Sequence, residues 1–466
     1  MSLKGGSAML TQQAWMKNAQ DLHFELLQSK DEGKNVDGYS DRIAIIQALP
    51  DNDPQKEYLA GSMLDEMAGL PISKNHKYNE PSDLESIHKE RPSNSKAYSI
   101  PTPPPNEETL YNRIYGAWLG RCAGCLLGQP IEGWMRARII GLLKDTNNYP
   151  VNYYISSDIS SELRKKYDIQ DEARVYGGHL RNWINNVAFM PEDDDTNYTI
   201  IGLKILETYG AEFTPYDVAE AWLENLPLFH VCTAERVAYR NLASSILPPF
   251  SASHRNVYRE WIGAQIRADL FGYVTPGNPE LGADMAWRDA SISHTKNGIY
   301  GEMFISAMLS AAAVYDDIEK IIEAGLSQIP SSSRLSRQII EVIAWKNTED
   351  IDWETAIDRV HEKYNEKVGH DWCHTISNAL IVVISLLYGE KDFEKSVGIA
   401  IAGALDTDCN GATVGSIIGM LSGASNLPRK WVDPLCDTVK SGVDGFGIVK
   451  ISDMAKRTVR LALRQA

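Results

Sequence analysis

Two acidic clusters stand far apart in the chain: Asp193-Asp194-Asp195-Thr196 in MPEDDDTNYT and Asp406-Thr407-Asp408-Cys409 in ALDTDCNGATVGS. Each precedes a run of small and apolar residues at helical spacing, which sets five carboxylates at two helix N-termini built to pack tightly. Two like charges ~4 Å apart repel by roughly 4 kcal/mol at an effective dielectric near 20. Gathering five therefore requires either several raised pKa values or bound cations, and cations are the simpler answer. Oxygen donors select hard ions (magnesium, manganese or calcium) over zinc or copper. Five negative charges roughly balance two divalent ions, and a two-metal site can position water and substrate oxygens. Capping is the plainer alternative, because Asp is favoured at N-caps and in first turns. It accounts for one Asp per helix and leaves three in succession unexplained.

These clusters must be positioned by a large body. The chain has 466 residues, 43% of them hydrophobic, enough for an extensive core. No apolar run reaches the roughly 18 to 20 residues needed to span a bilayer, so no membrane association is expected. The opening MSLKGGS reads as an expression-tag remnant rather than a targeting peptide. A formal net charge of -16 argues against nonspecific nucleic-acid binding, which depends on neutralising phosphates. Six cysteines in a chain of this length do not make a disulfide framework, and free thiols in a cytoplasmic protein are expected. Cys122 and Cys125 form a CxxC, and Cys373-His374 is the only other half-site. Neither brings the second ligand pair that a zinc site needs.

The elements around the clusters read as helix after helix. Residues 9–68 hold two helical stretches, the second opened by Asp53 as cap and Pro54 in the first turn. Between Pro71 and Glu108 the composition turns to Ser, Asn, Lys and Pro. The expected organisation is a helical extension over 1–70, a linker or wrapping arm over 71–108, and a body over 109–466. In the body, apolar or small residues recur at spacings of three and four within residues 196–210, 215–226, 279–293, 301–326, 378–389 and 411–424. Period-two segments are scarce, so the body reads as all-α. Gly411, Gly415 and Gly419 place three side-chain-free positions on one helical face, where another backbone can approach.

Four stretches in chain order resemble the ADP-ribosylglycohydrolases, also called the dinitrogenase reductase-activating glycohydrolase family. They are Arg113 to Gly120 with Gly128-Gln129-Pro130-Ile131-Glu132, Asp193 to Thr196, Ile262-Gly263-Ala264-Gln265-Ile266-Arg267 with the later Ser293-His294, and Asp406 to Asn410. The first is similar to the family's opening helix and its Gly-x-Pro-x-Glu ending. The second and fourth are similar to its two metal motifs, and the third to its substrate loop and Ser/Thr-His. The resemblance covers roughly residues 109 to 425. It implies an all-α orthogonal bundle holding two magnesium ions, or two manganese ions, in a cleft. The implied activity is hydrolysis of the glycosidic bond between ADP-ribose and an amino-acid side chain or another acceptor, on a protein or a small molecule.

Carried over residue by residue, Asp194, Asp195, Asp406 and Asp408 match the metal aspartates, and Asp193 and Cys409 stand where the family places hydroxyl ligands. Glu132 and Asp195 are the expected catalytic residues, Glu132 as ligand, gate or general base, unless it is an ordinary exposed glutamate at a helix end. Gly263, Arg267 and His294 match the substrate-loop region. Arg267 reads equally as an internal ion-pair partner and His294 as a helix cap. His374 and Asn378, one turn apart, either face the cleft or form a buried structural pair. Trp118, Trp134 and Trp287 read as core. Three features depart from the family pattern: Asp193 adds a charge, Cys409 replaces oxygen by sulfur, a poor partner for magnesium, and Cys125 stands where Asp is common.

Two other function classes stay in view. Isoprenoid synthases are also all-α and bind magnesium through aspartates, yet Tyr198 stands where their first motif carries a third Asp. A lens crystallin similar to this family shows that the fold can serve a structural role, which loss of the metal residues would favour.

Overall fold

Helix follows helix from residue 18 onward in the computed structural model, which describes residues 15–98, 102–170 and 181–465. The first three are α1, Asn18–Asp31, α2, Tyr39–Gln47, and α3, Pro54–Ala68. Asp53 caps α3 by accepting a hydrogen bond from the backbone N–H of Gln55, and Pro54 occupies the first turn, as the sequence predicts. The part of the first predicted helix before Trp15 lies outside the described residues.

These helices are tied to the body through buried charge. The Arg259 guanidinium donates to Glu25 at 2.6 and 3.0 Å and to Glu32 at 2.8 Å, and Phe24 meets Trp261 edge-on at 5.2 Å between centroids. The Pro- and Ser-rich stretch then runs along the body. It carries a short helix, Leu84–Glu90, whose Ile87 is buried, and Arg334 donates to its Glu80 at 2.8 Å.

The body is built around α4, Glu107–Gly128, which Asn106 opens by accepting from the backbone N–H of Thr109. Further elements used below are α5, Asp194–Tyr209; α6, Thr233–Ala243; α7, Pro279–Ala290; α8, Asn297–Ala312; α9, Thr375–Tyr388; α10, Phe393–Gly403; α11, Thr407–Ser422; and α12, Ile451–Gln465. Helix α8 is buried on every side and forms the middle of the core, while α12 buries only one stripe, with Ile451, Met454, Ala455, Thr458, Val459 and Ala462 at helical spacing. Its Thr458 accepts a hydrogen bond from Trp118 Nε1 at 3.1 Å, a buried Trp that is core as expected.

Helices α4 and α11 run antiparallel in backbone contact. Gly116, Gly120 and Gly124 oppose Gly419, Gly415 and Gly411, and a Cβ placed on Gly120 would lie 2.0 Å from the Gly415 carbonyl oxygen. The glycine face seen in the sequence thus has a matching face on α4. One predicted helix is divided: residues 301–326 break after Ala312, and Asp317 caps a new helix over Ile318–Leu326. The only strands among the described residues are the antiparallel pair Thr438–Lys440 and Ile448–Lys450, so the fold is all-α.

Candidate metal centre and its cavity

The register of α4 against α11 brings the two acidic clusters together. Because Gly128 packs against the backbone of Thr407 and Asp408, the Gln129-Pro130-Ile131-Glu132 turn that ends α4 sits beside the start of α11. Asp193 is the N-cap of α5, accepting from the backbone N–H of Asp195 at 2.9 Å and from Gln129 Nε2. Asp406 occupies the N-cap position of α11 but makes no capping bond with its side chain. Its carboxylate is left for another partner. Ala404 and Leu405, directly before it, both have positive φ (57° and 58°), a strained approach that aims the Asp406 turn. Asn378 holds that turn by accepting from the backbone N–H of Asp406 at 3.2 Å and from Asn410 Nδ2 at 2.8 Å.

Three overlapping groups of ligand-capable atoms result, each gathered within 4.8 Å: Asp195 with Asp408 and Cys409, Glu132 with Asp406 and Asp408, and Cys125 with Asp193 and Asp195. Asp195 and Asp408 are each shared between two groups. Asp194 lies on the cavity wall outside these groups, with Cys232 Sγ 3.6 Å from its Oδ2. Asp195 is fully buried and held by Arg121, itself fully buried, which bonds its Oδ1 at 2.9 Å and its backbone oxygen at 2.8 Å, while also pairing with Asp269 at 2.9 Å.

The donor set fits divalent cations. Asp195 Oδ2 and Asp408 Oδ1 are buried without a hydrogen-bond partner, which is costly for a carboxylate unless a cation completes it. The electrostatics agree. Burial and then the neighbouring Asp193 and Asp195 push the Asp194 carboxyl well above its ordinary range. Asp408 is raised in the same way by burial, Glu132 and Asp406. Burial and the charges of Asp406 and Asp193 push Glu132 up to about 8.

A cavity of about 280 Å³ opens over these carboxylates. Glu132, Asp193, Asp194, Asp406, Asp408 and Cys409 line it, as does Gly263, whose missing side chain leaves room for Glu235. Arg267 and His294 are elsewhere. The Arg267 side chain, 1% exposed, lies behind the wall and donates to Glu235 at 2.7 Å, Asp289 at 2.5 Å and Ser293 Oγ at 3.1 Å. His294 is buried with its Nδ1 2.8 Å from Ser293 Oγ, and it does not line the cavity either. Neither side chain reaches the cavity in this structure: Arg267 is engaged with Glu235, Asp289 and Ser293, and His294 Nε2 is buried without a hydrogen-bond partner.

Several cavity residues were not singled out by sequence. Trp15, from the segment before α1, joins Phe229, Trp261 and Trp372 as aromatic lining. Nothing in the spacing around Trp15 marks it, since its partners come from elements more than 200 residues away. Cys232 likewise lines the cavity, as does Cys373, which the sequence marked only as a zinc half-site and whose Sγ lies 3.9 Å from Asp406 Oδ2.

One further grouping, Asp31 with His370 and His374, has metal-like spacing and the wrong tautomers. His370 Nδ1 accepts from Trp261 Nε1 at 3.3 Å and His374 Nδ1 accepts from the backbone N–H of Ile376 at 3.1 Å. Both donors can only donate, so each ring carries its proton on Nε2. Those protons face Asp31 at 3.0 Å and Glu260 at 3.4 Å, leaving no lone pair for a cation. His374 and Asn378 are therefore a buried structural pair.

The family model for ADP-ribosylglycohydrolase matches residues 106–464. Among solved structures, an "ADP-ribosylglycohydrolase-related protein complex" is 17% identical, covers 77% of this chain and 100% of its own, and superposes with a TM-score of 0.46. No curated protein matches the chain. With a family match over most of its length, the chain belongs to the ADP-ribosylglycohydrolase family and is a hydrolase of that type.

Proposed function

We propose that this protein cleaves the glycosidic bond between ADP-ribose and an amino-acid side chain or another acceptor, using two divalent cations, magnesium or manganese. The observation that carries this reading is the pair of buried, unpartnered carboxylate oxygens, Asp195 Oδ2 and Asp408 Oδ1, beneath a cavity lined by four further carboxylates of the two clusters and the α4 end. Asp195, Asp408 and Cys409 would hold one cation and Glu132, Asp406 and Asp408 the other, with Asp193 and Asp194 completing the shell. Bound cations would supply Lewis acidity, lowering the pKa of a water and orienting ribose hydroxyls.

The chain's own groups do the rest. Bond cleavage at the anomeric carbon passes through an oxocarbenium-like state, and the Asp194 carboxylate on the cavity wall stabilises its positive charge. Glu132, at the cavity side of the α4 turn, accepts the proton of the attacking water and passes it to the departing acceptor as the glycosidic bond breaks. Gln129 and Arg121 keep Asp193 and Asp195 oriented. Six free cysteines support a cytoplasmic location.

The test is release of free ADP-ribose from ADP-ribosyl-arginine, ADP-ribosyl-serine and O-acetyl-ADP-ribose in the presence of magnesium or manganese. Turnover of one of them, lost in Asp194→Ala and Asp408→Ala, is expected. Full activity in both variants would dismiss the site.

A further inference from the structure

Four of the six cysteines converge on the acidic centre from four different elements. Cys125 comes from α4, Cys232 from the residue before α6, Cys373 from the turn before α9, and Cys409 from the first turn of α11. Each lies against a different part of the carboxylate set: Cys232 at 3.6 Å from Asp194, Cys373 at 3.9 Å from Asp406, and Cys125 and Cys409 within the 4.8 Å groups of Asp193, Asp195 and Asp408. The remaining two behave differently, Cys122 being buried within α4 and Cys436 exposed at the surface.

Sulfur is a member of the ligand groups around Asp195 only, although Cys373 lies 3.9 Å from Asp406 on the other side. The group of Glu132, Asp406 and Asp408 offers oxygen alone, whereas the group of Asp195, Asp408 and Cys409 includes sulfur and has Cys125 behind its Asp195. Cys409 is 5% exposed, and the two carboxylates beside it carry the unpartnered oxygens Asp195 Oδ2 and Asp408 Oδ1. Sulfur is a weak hydrogen-bond donor, so a thiol there compensates a buried carboxylate poorly. As a thiolate it is a strong ligand for borderline cations and a poor one for magnesium. Replacing an oxygen donor by sulfur on one side only changes what that side selects.

We propose that the centre is asymmetric: an oxygen pocket at Glu132, Asp406 and Asp408 for magnesium or manganese, and a thiolate-bearing pocket at Asp195, Asp408 and Cys409 for a borderline cation of the zinc, cobalt or iron(II) class. Cys409 gives up its proton to solvent when that cation binds, and Asp408, shared by both groups, links the two pockets. The proposal rests on the two-cation reading given above and departs from it in one half, replacing magnesium or manganese by a borderline cation at Cys409 alone.

The test uses the full chain, stripped with chelator and titrated with cobalt(II) in excess magnesium, followed by absorption spectroscopy and by metal analysis after gel filtration. One cobalt per chain with a near-ultraviolet sulfur-to-cobalt charge-transfer band is expected. The band should vanish and cobalt affinity should fall ~100-fold or more in Cys409→Ser. It should persist in Cys436→Ser, which alters only the exposed thiol. Circular dichroism of Cys409→Ser and Cys409→Thr establishes that the variants are folded.

Cobalt bound without the band, a band that survives Cys409→Ser, or complete displacement of cobalt by magnesium would overturn the asymmetric centre while leaving a metal centre in place. Failure of wild-type protein to bind cobalt, magnesium or manganese would overturn both readings. Release of ADP-ribose, measured separately, reports on the hydrolase reading independently of the spectrum.

Discussion

Gly124 and Gly411 lie backbone against backbone: a Cβ on Gly124 would fall 1.9 Å from the Gly411 carbonyl oxygen. No side chain larger than hydrogen fits, so this contact fixes the register of α4 against α11. That register sets Glu132, four residues beyond the end of α4, next to Asp406 and Asp408. Gly124→Ala must therefore push the helices apart. It is expected to destabilise the protein by ~3 kcal/mol, at the upper end of overpacking costs, and to weaken metal binding with it. Gly69→Ala, whose new methyl group meets nothing closer than 3.5 Å, should change the urea midpoint little.

The sequence announced half of this contact. The i, i+4 glycines of α11 are visible by inspection, and so is the run Gly116, Gly120, Gly124 and Gly128 of α4, but only the packed helices show that one answers the other. The carboxylates were legible for a similar reason, because three consecutive Asp residues before an apolar run violate ordinary capping. Arg267 was not, since an arginine in a loop motif reads the same whether it faces phosphate or the interior. Trp15 was invisible because its role depends wholly on tertiary placement. The break after Ala312 escaped notice because Asp317 reads as an ordinary helix residue until its capping role is seen.

Metal removal should give the protein an unusual pH dependence. In the metal-free chain Glu132 titrates near 8, against roughly 4.3 when unfolded, because burial and the Asp406 and Asp193 charges disfavour its ionised form. Asp406 is raised to about 6 by burial first of all. A raised carboxyl binds more protons in the folded than in the unfolded state, so stability falls as pH rises from the unfolded value to the folded one. The chelated protein is expected to lose stability from about pH 4 to pH 8. Saturating magnesium should flatten that slope, and Glu132→Gln should flatten part of it without metal. Thermal unfolding at a series of pH values with and without chelator measures all three, and a metal-free slope of the opposite sign would contradict the assignment.

Arg267 should act on stability rather than on substrate. Its guanidinium bonds Glu235, Asp289 and Ser293 inside the protein, and Glu302 lies 3.6 Å away. Arg267→Lys keeps the charge but loses the planar fork, at an expected cost of ~2 kcal/mol in urea unfolding. KM for the ADP-ribosyl substrate should not move. A raised KM at unchanged stability would place Arg267 on the substrate after all.

Trp15 should act on substrate rather than on stability. It is a partly exposed member of the cavity's aromatic lining and lies outside the residues 106–464 matched by the family model. Stacking of a base on an aromatic side chain contributes ~1–3 kcal/mol, so Trp15→Ala is expected to raise KM about tenfold with little change in kcat. Steady-state kinetics with an ADP-ribosyl substrate settles it. Equal falls in kcat and in thermal stability would instead mark Trp15 as structural.

The placement of Trp15 is expected to depend in turn on Arg259. That residue holds Glu25 and Glu32 of the first helix and its end, and it sits two positions before Trp261, itself part of the cavity wall. Removing the cation leaves the buried Glu25 carboxylate without its ion-pair partner, while Glu32 keeps Lys34 at 3.3 Å and Lys296 at 3.4 Å; a broken buried ion pair costs ~3–5 kcal/mol. Arg259→Met should therefore loosen α1, exposing the 32–53 segment to limited proteolysis while the body over 106–464 stays intact. Substrate affinity should fall through the same change, because Trp15 is carried to the cavity by α1. In the Arg259→Met background, Trp15→Ala should then raise KM no further, which a double-mutant cycle detects as strong non-additivity. Additive effects on KM would show that Trp15 reaches the cavity without the Arg259 clamp.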